Sequence, residues 1–340
     1  MEQLLIFLPF LVPVIVANYG ERHRRSPYTL SSPHASRNLD RALRYLPHGL
    51  LIAINLGLLG ISLLSMFNAL ALMLMPDLVE TGVQAGGWLG MSAAAFLTAL
   101  VAFLPLLPQV RRWLARWLPI DPDSLVHMTA LAFAMYQIGL SLGQMALIGD
   151  LELLANAEDV LTIWDVILSG VPFVIFALAG VGLLIRRPGP ATWERLGLRR
   201  PTWKQVLAAI GIAGLLLGFD FLVSWAWQGI DPAGYDLLEK VNENLFGGLA
   251  TVGGAIVLGL SAGISEELLF RGAVQPRLGL LLTTFLFTIG HLQYGLTLAT
   301  LQVFVIGLVF GLMRKRTKGV AVCMVSHATY NMVGTLLGML

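Results

Sequence analysis

Two adjacent glutamates, Glu266 and Glu267, end an apolar stretch of this chain. A carboxylate at membrane depth costs several kcal/mol unless a partner or water compensates it, so a chain that keeps two there is expected to use at least one. Arg271 lies four residues after Glu267 on the same helix face and can pair with it. Glu266 is rotated from Glu267 by about 100° and lacks that partner. We predict that Glu267 is structural and Glu266 a candidate general base. A Glu–Arg clamp that only ends a helix is the alternative interpretation.

Two histidines on later apolar segments add further reactive groups. His291 follows Phe287 by one helical turn, and His327 precedes Asn331 by one turn. An imidazole beside a carboxylate can help to deprotonate water near neutral pH, and an imidazole N–H with a carboxamide can stabilise developing negative charge. Each histidine could instead be a structural hydrogen-bonding residue between helices. These residue types indicate a hydrolytic site only if the three segments converge.

The composition predicts that these segments lie in a membrane. Of 340 residues, 56% are hydrophobic and 12% charged, whereas soluble domains carry roughly 25% charged residues. The mean hydropathy is +0.77. We therefore predict an all-α, polytopic transmembrane helical bundle of about ten spans. The predicted spans lie near residues 3–18, 50–74, 86–107, 126–148, 164–185, 206–228, 248–270, 279–291, 296–313 and 319–340.

The basic residues predict the orientation of this bundle. Cytoplasmic loops hold an excess of Lys and Arg. With the N-terminus outside, the alternation of ten spans places every one of the 22 Lys and Arg residues except Lys240 on the inner side. We therefore predict that both termini lie outside and that the protein is a multi-pass protein of the plasma (inner) membrane.

Two inner segments divide the predicted architecture. Residues 19–48 read as a basic, solvated cytoplasmic loop within an N-terminal membrane region of about five spans, residues 1–185, whose role the sequence does not reveal. Residues 186–204 contain Trp193, Trp203 and six basic residues, a pattern typical of a segment in the lipid headgroup layer. The second region, residues 186–340, follows with about five spans and holds all the candidate groups. It also holds Asp220, which we interpret as a satisfied polar contact, and Cys323, which we interpret as a small buried residue.

The ordered motifs resemble those of the CAAX protease and bacteriocin-processing (CPBP) family of intramembrane endopeptidases, which includes the type II CAAX prenyl protease. The resemblance covers the chain from about Arg186 to the C-terminus. Each motif alone is weak, but the ordered triple is specific. The motifs are Glu266-Glu267-x-x-x-Arg271, Phe287-x-x-x-His291 and His327-x-x-x-Asn331.

The resemblance implies a role for each motif residue. Glu266 and His291 would activate the attacking water, and His327 and Asn331 would stabilise the oxyanion of the tetrahedral intermediate. The residues of implied structural support are Glu267, Arg271 and Phe287. The implied activity is endopeptidase cleavage at the cytoplasmic side of the membrane. Its substrates would be peptides or proteins at the bilayer, with or without a lipid modification.

A zinc-dependent version of the same site is the first alternative. Two histidines and one glutamate form a legitimate zinc ligand set, here Glu266, His291 and His327. The compact zinc signature His-Glu-x-x-His is absent from the sequence. We therefore favour a reaction without a cofactor.

Other classes of function are weaker alternatives. The same buried groups could form an ion pathway in a transporter, or the protein could be a non-hydrolytic immunity or assembly partner. The basic residues are not interleaved with aromatic residues as in a nucleic-acid surface, so no nucleic-acid partner is predicted. Ser265 does not sit in a serine-protease motif, and Asp220 alone cannot supply an aspartate pair.

Overall fold

The computed structural model describes residues 7–24, 34–74, 85–148, 155, 161–292 and 295–338. Almost all of these residues are helical, and none of them belongs to a β-strand. They form two compact units, the first from residues 1–149 and 179–189 and the second from residues 150–178 and 190–340. The predicted helical membrane bundle is thus confirmed as a fold class.

The described part of the first unit contains five α-helices. Its core includes Ala17, Leu51 and Met128, all fully shielded from solvent. The helices are α1 (Leu8–Arg24), α2 (His34–Leu74), α3 (Ala85–Val101), α4 (Pro108–Leu114) and α5 (Leu125–Ile148), with a 3-10 helix at Leu104–Leu106.

The segment predicted as a basic loop, residues 19–48, is helical on both sides of residues 25–33, which lie outside the described part of the chain. Helix α1 continues to Arg24, and α2 already begins at His34. Arg24 donates to Glu21 at 2.8 Å and to Asp121 at 2.6 Å. Its charge is therefore satisfied within the first unit, which explains why this part of the segment folds.

The second unit contains the segment that carries the candidate groups. Residues 163–178 belong to it, although the predicted boundary at residue 185 placed them in the N-terminal region. The predicted division of roles between the two regions stays a prediction. The Ser261 hydroxyl donates to the carbonyl of Val166 at 2.9 Å. The helices are α6 (Ile163–Val181), α7 (Gly189–Leu196), α8 (Trp203–Ile230), α9 (Pro232–Phe246), α10 (Val252–Glu267), α11 (Gln275–Leu278), α12 (Leu280–Ile289), α13 (Leu298–Thr317) and α14 (Ala321–Leu337), with a 3-10 helix at Gly247–Leu249 and a π-helix at Leu268–Val274.

Local sequence signals start two of the long helices in this unit. At α8, the Thr202 hydroxyl accepts from the Gln205 N–H at 3.3 Å, and the Gln205 side chain accepts from the Thr202 N–H at 2.9 Å, which is a capping box. At α10, the Thr251 hydroxyl accepts from the Gly254 N–H at 3.0 Å. These caps satisfy backbone donors that a helix leaves unpaired at its N-terminus.

Helices α10 and α14 approach each other closely because small residues line their contact. A Cβ added at Gly259 would lie 2.7 Å from the carbonyl oxygen of Ala328, and one added at Gly263 would lie 2.9 Å from the backbone nitrogen of Ala328. Interfaces between membrane helices commonly use such residues to bring backbones together. The close approach places the C-terminal end of α10 beside His327.

Asp220 has hydrogen-bonding partners and Cys323 is a small buried residue, as predicted. Asp220 on α8 accepts hydrogen bonds from Tyr330 on α14 and, at 3.3 Å, from Gln302 on α13. Cys323 is fully buried, and its thiol lies 3.3 Å from the carbonyl oxygen of Phe310. Both residues act as packing elements in the second unit.

Seven helices in the described part of the chain are long and apolar enough to cross a membrane. The predicted spans near residues 3–18, 279–291 and 319–340 correspond to shorter helices, α1, α12 and α14, with 17, 10 and 17 residues. The number of spans and the placement of the termini stay predictions. The seven long segments are Arg41–Leu74, Gly86–Leu106, Leu125–Leu147, Ile163–Val181, Trp203–Ile230, Val252–Leu278 and Leu298–Thr317.

Candidate active site

The two adjacent glutamates lie where α10 changes into the π-helix. Single turns of this wider helix are rare and occur frequently at functional sites. Two arginines from distant segments bind the backbone of the turn. Arg195 donates to the carbonyls of Gly272 and Ala273 at 3.0 and 3.2 Å, and Arg314 donates to the carbonyl of Arg271 at 3.1 Å. These contacts supply partners for carbonyl groups within the widened turn.

Glu267 lies at the centre of a fully buried polar cluster. Its Oε1 atom is 3.2 Å from Arg271 Nη1 and 2.9 Å from His327 Nδ1. The side chains of Glu267 and Arg271 are 0% and 1% exposed. A buried carboxylate is tolerated when such partners compensate its charge. The spacing predicted the contact with Arg271, whereas the contact with His327 was not predicted.

Arg271 connects this cluster to α12 and α13. Its Nη2 atom donates to the carbonyl of Gly307 at 3.0 Å, and its guanidinium carbon lies 4.3 Å from the ring centre of Phe287. A guanidinium over an aromatic face is attracted by the ring quadrupole, more strongly when both are desolvated. Phe287, for which the resemblance implied a supporting role, therefore contacts the arginine that pairs with Glu267.

Glu266 faces a different histidine. His291 Nε2 lies 3.9 Å from Glu266 Oε2, and the two side chains are 26% and 18% exposed. His291 Nδ1 lies 2.9 Å from the carbonyl oxygen of Phe287. Because a carbonyl only accepts, Nδ1 carries the hydrogen, and Nε2 of the neutral ring is an acceptor that faces the carboxylate. This pair is more open than the Glu267 cluster.

The placement of His291 depends on a break in the chain before α12. Gly279 adopts a φ of 79°, a conformation that favours glycine, and α12 starts directly after it at Leu280. The helix contains only 10 residues and ends at Ile289, two residues before His291. The sequence alone left the depth of His291 open, and this late start brings it to Glu266.

Asn331 shares a face of α14 with His327 and is half-buried. No hydrogen bond among the described residues ties its amide to either glutamate or either histidine. The structure thus brings the predicted groups together as two pairs, Glu266 with His291 and Glu267 with His327, and places Asn331 one turn beyond the second.

Sequence reasoning missed three residues of this arrangement. Phe310 stacks on the His327 ring with 5.0 Å between the ring centres. Arg195 and Arg314 reach the π-helix from segments that are far away in sequence. No local sequence pattern identified the side chains that reach the site.

The side chains do not form a metal-ligand set as placed. Within the described ranges, no group of three or more His, Cys, Asp or Glu residues is arranged to hold a metal ion. His291 and His327 instead pair with different glutamates. The predicted set of Glu266, His291 and His327 therefore does not fit a zinc centre in this arrangement.

Comparison with known proteins identifies a family for this region. Residues 248–333 match the profile of the family described as type II CAAX prenyl endopeptidase Rce1-like. No curated protein and no solved structure gives a significant match to the chain. The matched segment runs from before α10 into α14 and includes every candidate residue from Glu266 to Asn331. The part of the chain that carries the candidate site is therefore similar, as its ordered motifs predicted, to the type II CAAX prenyl endopeptidases.

Proposed function

We propose that this protein is an intramembrane endopeptidase that hydrolyses peptide bonds at the cytoplasmic side of the membrane, with water activated by Glu266 and His291. The observation that carries the proposal is the division of labour between the two glutamates. Glu267 is fully buried and engaged by Arg271 and His327, whereas Glu266 is partly exposed and faces His291 at 3.9 Å. A general base must reach a water molecule, and of the two glutamates only Glu266 has a partly exposed side chain. Its Oε2 atom is buried and has no hydrogen-bond partner, and a water molecule would supply that partner.

The hydrogen-bonding character of the Glu266–His291 pair suits water activation. Glu266 Oε2 and the Nε2 atom of a neutral His291 ring can each accept a hydrogen bond from water. A water molecule that donates one hydrogen to each acceptor would direct an oxygen lone pair towards a substrate carbonyl carbon. Attack forms the new C–O bond as the Glu266 carboxylate takes the water proton. That proton then passes to the departing amine nitrogen as the C–N bond breaks.

We propose that His327 stabilises the oxyanion. Its contact with Glu267 bears on which of its ring nitrogens carries a hydrogen. The carboxylate accepts from Nδ1, so Nδ1 carries a hydrogen. Nε2 can then donate to an oxyanion only when the ring is doubly protonated. Asn331, one turn further on the same helix face, would supply the second donor from its amide.

The proposed substrates are peptides or membrane proteins whose scissile bond lies at the inner surface of the plasma membrane, with or without a lipid modification. The experiment that tests activity and identifies substrate compares membrane peptides in cells that express the wild type or Glu266→Ala. We expect a small set of peptides to accumulate in the variant. Glu243→Ala, which removes an exposed glutamate outside the site, is the matched control. Identical peptide sets in all three strains would argue for a non-hydrolytic role.

The proposal requires no cofactor, and this part has its own test. Purified protein is analysed for zinc, and its cleavage activity is measured during a chelator titration. We expect substoichiometric zinc and activity that resists chelation. One zinc per chain together with loss of activity on chelation would instead support the zinc alternative.

A further inference from the structure

A cavity in the second unit concentrates positive charge beside the π-helix. Its volume is about 380 Å³, and it opens to the surface. Small-ligand sites in proteins commonly start at about this size. Four guanidinium groups line it, together with a single acidic side chain, Glu194. The four basic residues are Arg195, Arg199, Arg277 and Arg314.

Contacts to the protein hold two of these arginines in place. Arg195 donates to the carbonyls of Gly272 and Ala273, and Arg314 donates to the carbonyl of Arg271. These positive charges therefore stay close together instead of moving apart into solvent. Like charges held at one site repel each other, and an anion between them would relieve that repulsion.

The acidic residue does not neutralise the cavity. Glu194 lies 4.0 Å from Arg199, and the two side chains are 76% and 61% exposed. Such exposed pairs contribute little, because solvent screens them and both side chains remain mobile. The cavity consequently keeps a strong net positive charge.

We propose that this cavity binds a phosphate group, the source favoured by its position being the headgroup of an anionic phospholipid. Guanidinium groups match phosphate oxygens in paired hydrogen bonds. Arg277 lies at the end of the apolar helical segment Val252–Leu278, and Arg314 lies in the last turn of α13. The exposed side chains of Trp193 and Trp203 lie on either side of Arg195 and Arg199 in the sequence. Tryptophan is enriched at headgroup level, and basic pockets between membrane helices bind anionic headgroups. The site is separate from the proposed chemistry and does not depend on it.

A bound phosphate would stabilise the structure that carries the site. Arg195 and Arg314 contact both the cavity and the π-helix carbonyls, so an anion that orders these side chains also orders the turn after Glu267. Ligand that binds only the folded state raises the unfolding temperature in a saturable way. Stability therefore reports binding without an activity assay.

The test measures the unfolding temperature of the purified full-length protein in neutral detergent. Three probes are titrated separately: short-chain phosphatidylglycerol, short-chain phosphatidylcholine and inorganic phosphate. The test variant is Arg199→Gln/Arg277→Gln. The matched control is Arg200→Gln/Arg316→Gln, which removes the same charge from two exposed arginines that do not line the cavity. We expect phosphatidylglycerol to bind the wild type and the control similarly and the test variant at least about tenfold more weakly.

The probes also distinguish the source of the phosphate. A saturable shift with phosphatidylglycerol alone supports a lipid headgroup, and an equal shift with inorganic phosphate supports free phosphate at the same site. An equal shift with phosphatidylcholine, no saturable shift at all, or an equal loss in the control variant would overturn the proposal. If the double variant does not fold, Arg199→Gln alone serves as the test, since Arg199 is a surface residue.

Discussion

At the scale of single residues, two neighbouring glutamates with the same chemistry have different surroundings. Glu267 contacts Arg271 and His327 in a fully buried cluster, and Glu266 faces His291 in a more open one. The i,i+4 spacing predicted the pair of Glu267 with Arg271, because helical geometry alone brings those positions together. The partner of each histidine could not be predicted, since it depends on packing between helices that are far apart in sequence.

Replacement of Glu267 by glutamine is expected to destabilise the protein. The amide cannot balance the charge of Arg271, which is 1% exposed, and breaking a buried ion pair from one side costs about 3–5 kcal/mol. Thermal unfolding of purified Glu267→Gln should show this loss. Glu266→Gln is the control, with an expected change below about 1 kcal/mol. Equal stability of the two variants would contradict the structural role of Glu267.

At the scale of helices, the sequence predicts the helices that carry the site, but it does not predict the junctions that set the geometry of the site. Gly259 and Gly263 let α10 pack closely against α14, a contact that only the structure identifies. The break at Gly279 starts α12 late and so sets the depth of His291, which the sequence alone left open. The π-helix has no sequence pattern of its own, and Arg195 and Arg314 reach it through long-range contacts. The helices were thus predictable in outline, whereas their junctions were not.

A methyl group at Gly263 tests the contact between α10 and α14. The added Cβ would lie 2.9 Å from the Ala328 nitrogen, so the helices must separate and lengthen the hydrogen bond between Glu267 and His327. We expect Gly263→Ala to lose about 1–3 kcal/mol of stability and to lower activity.

The matched control lies on the same helix. Gly253 has no atom within 4 Å of an added Cβ, so Gly253→Ala should be neutral or stabilise α10 by up to about 1 kcal/mol. Equal effects of the two substitutions on unfolding would show that helix propensity, and not the contact, decides the result.

At the scale of the whole molecule, the chain is a helical membrane protein in which one unit carries the candidate groups and the other has no assigned role. Composition predicted the fold class, because so apolar a chain cannot remain exposed to water. The family match covers residues 248–333 only, so it adds nothing about the role of the first unit. The predicted orientation depends on the distribution of basic residues. It specifies on which side of the membrane each loop lies, and labelling can test this.

Impermeant maleimide labelling in intact cells tests that orientation. In a Cys323→Ala background, Lys240→Cys should be labelled from outside, because its loop is predicted to be external. Arg200→Cys should be labelled only after the cells are permeabilised. Labelling of Arg200→Cys alone in intact cells would show that the orientation is the reverse of the predicted one. Labelling of both variants in intact cells would contradict the predicted alternation of spans.

The most direct test of the central claim is the cleavage rate of purified Glu266→Gln, in lipid nanodiscs, on the peptide that accumulates in the inactive strain. Glutamine keeps the shape of the side chain but cannot accept a proton, so the rate should fall by about 10²–10⁴ while the unfolding temperature stays that of the wild type. Glu243→Gln, an exposed change outside the site, should cleave at the wild-type rate. A folded Glu266→Gln protein that cleaves as fast as this control would contradict the assignment of Glu266 as the base.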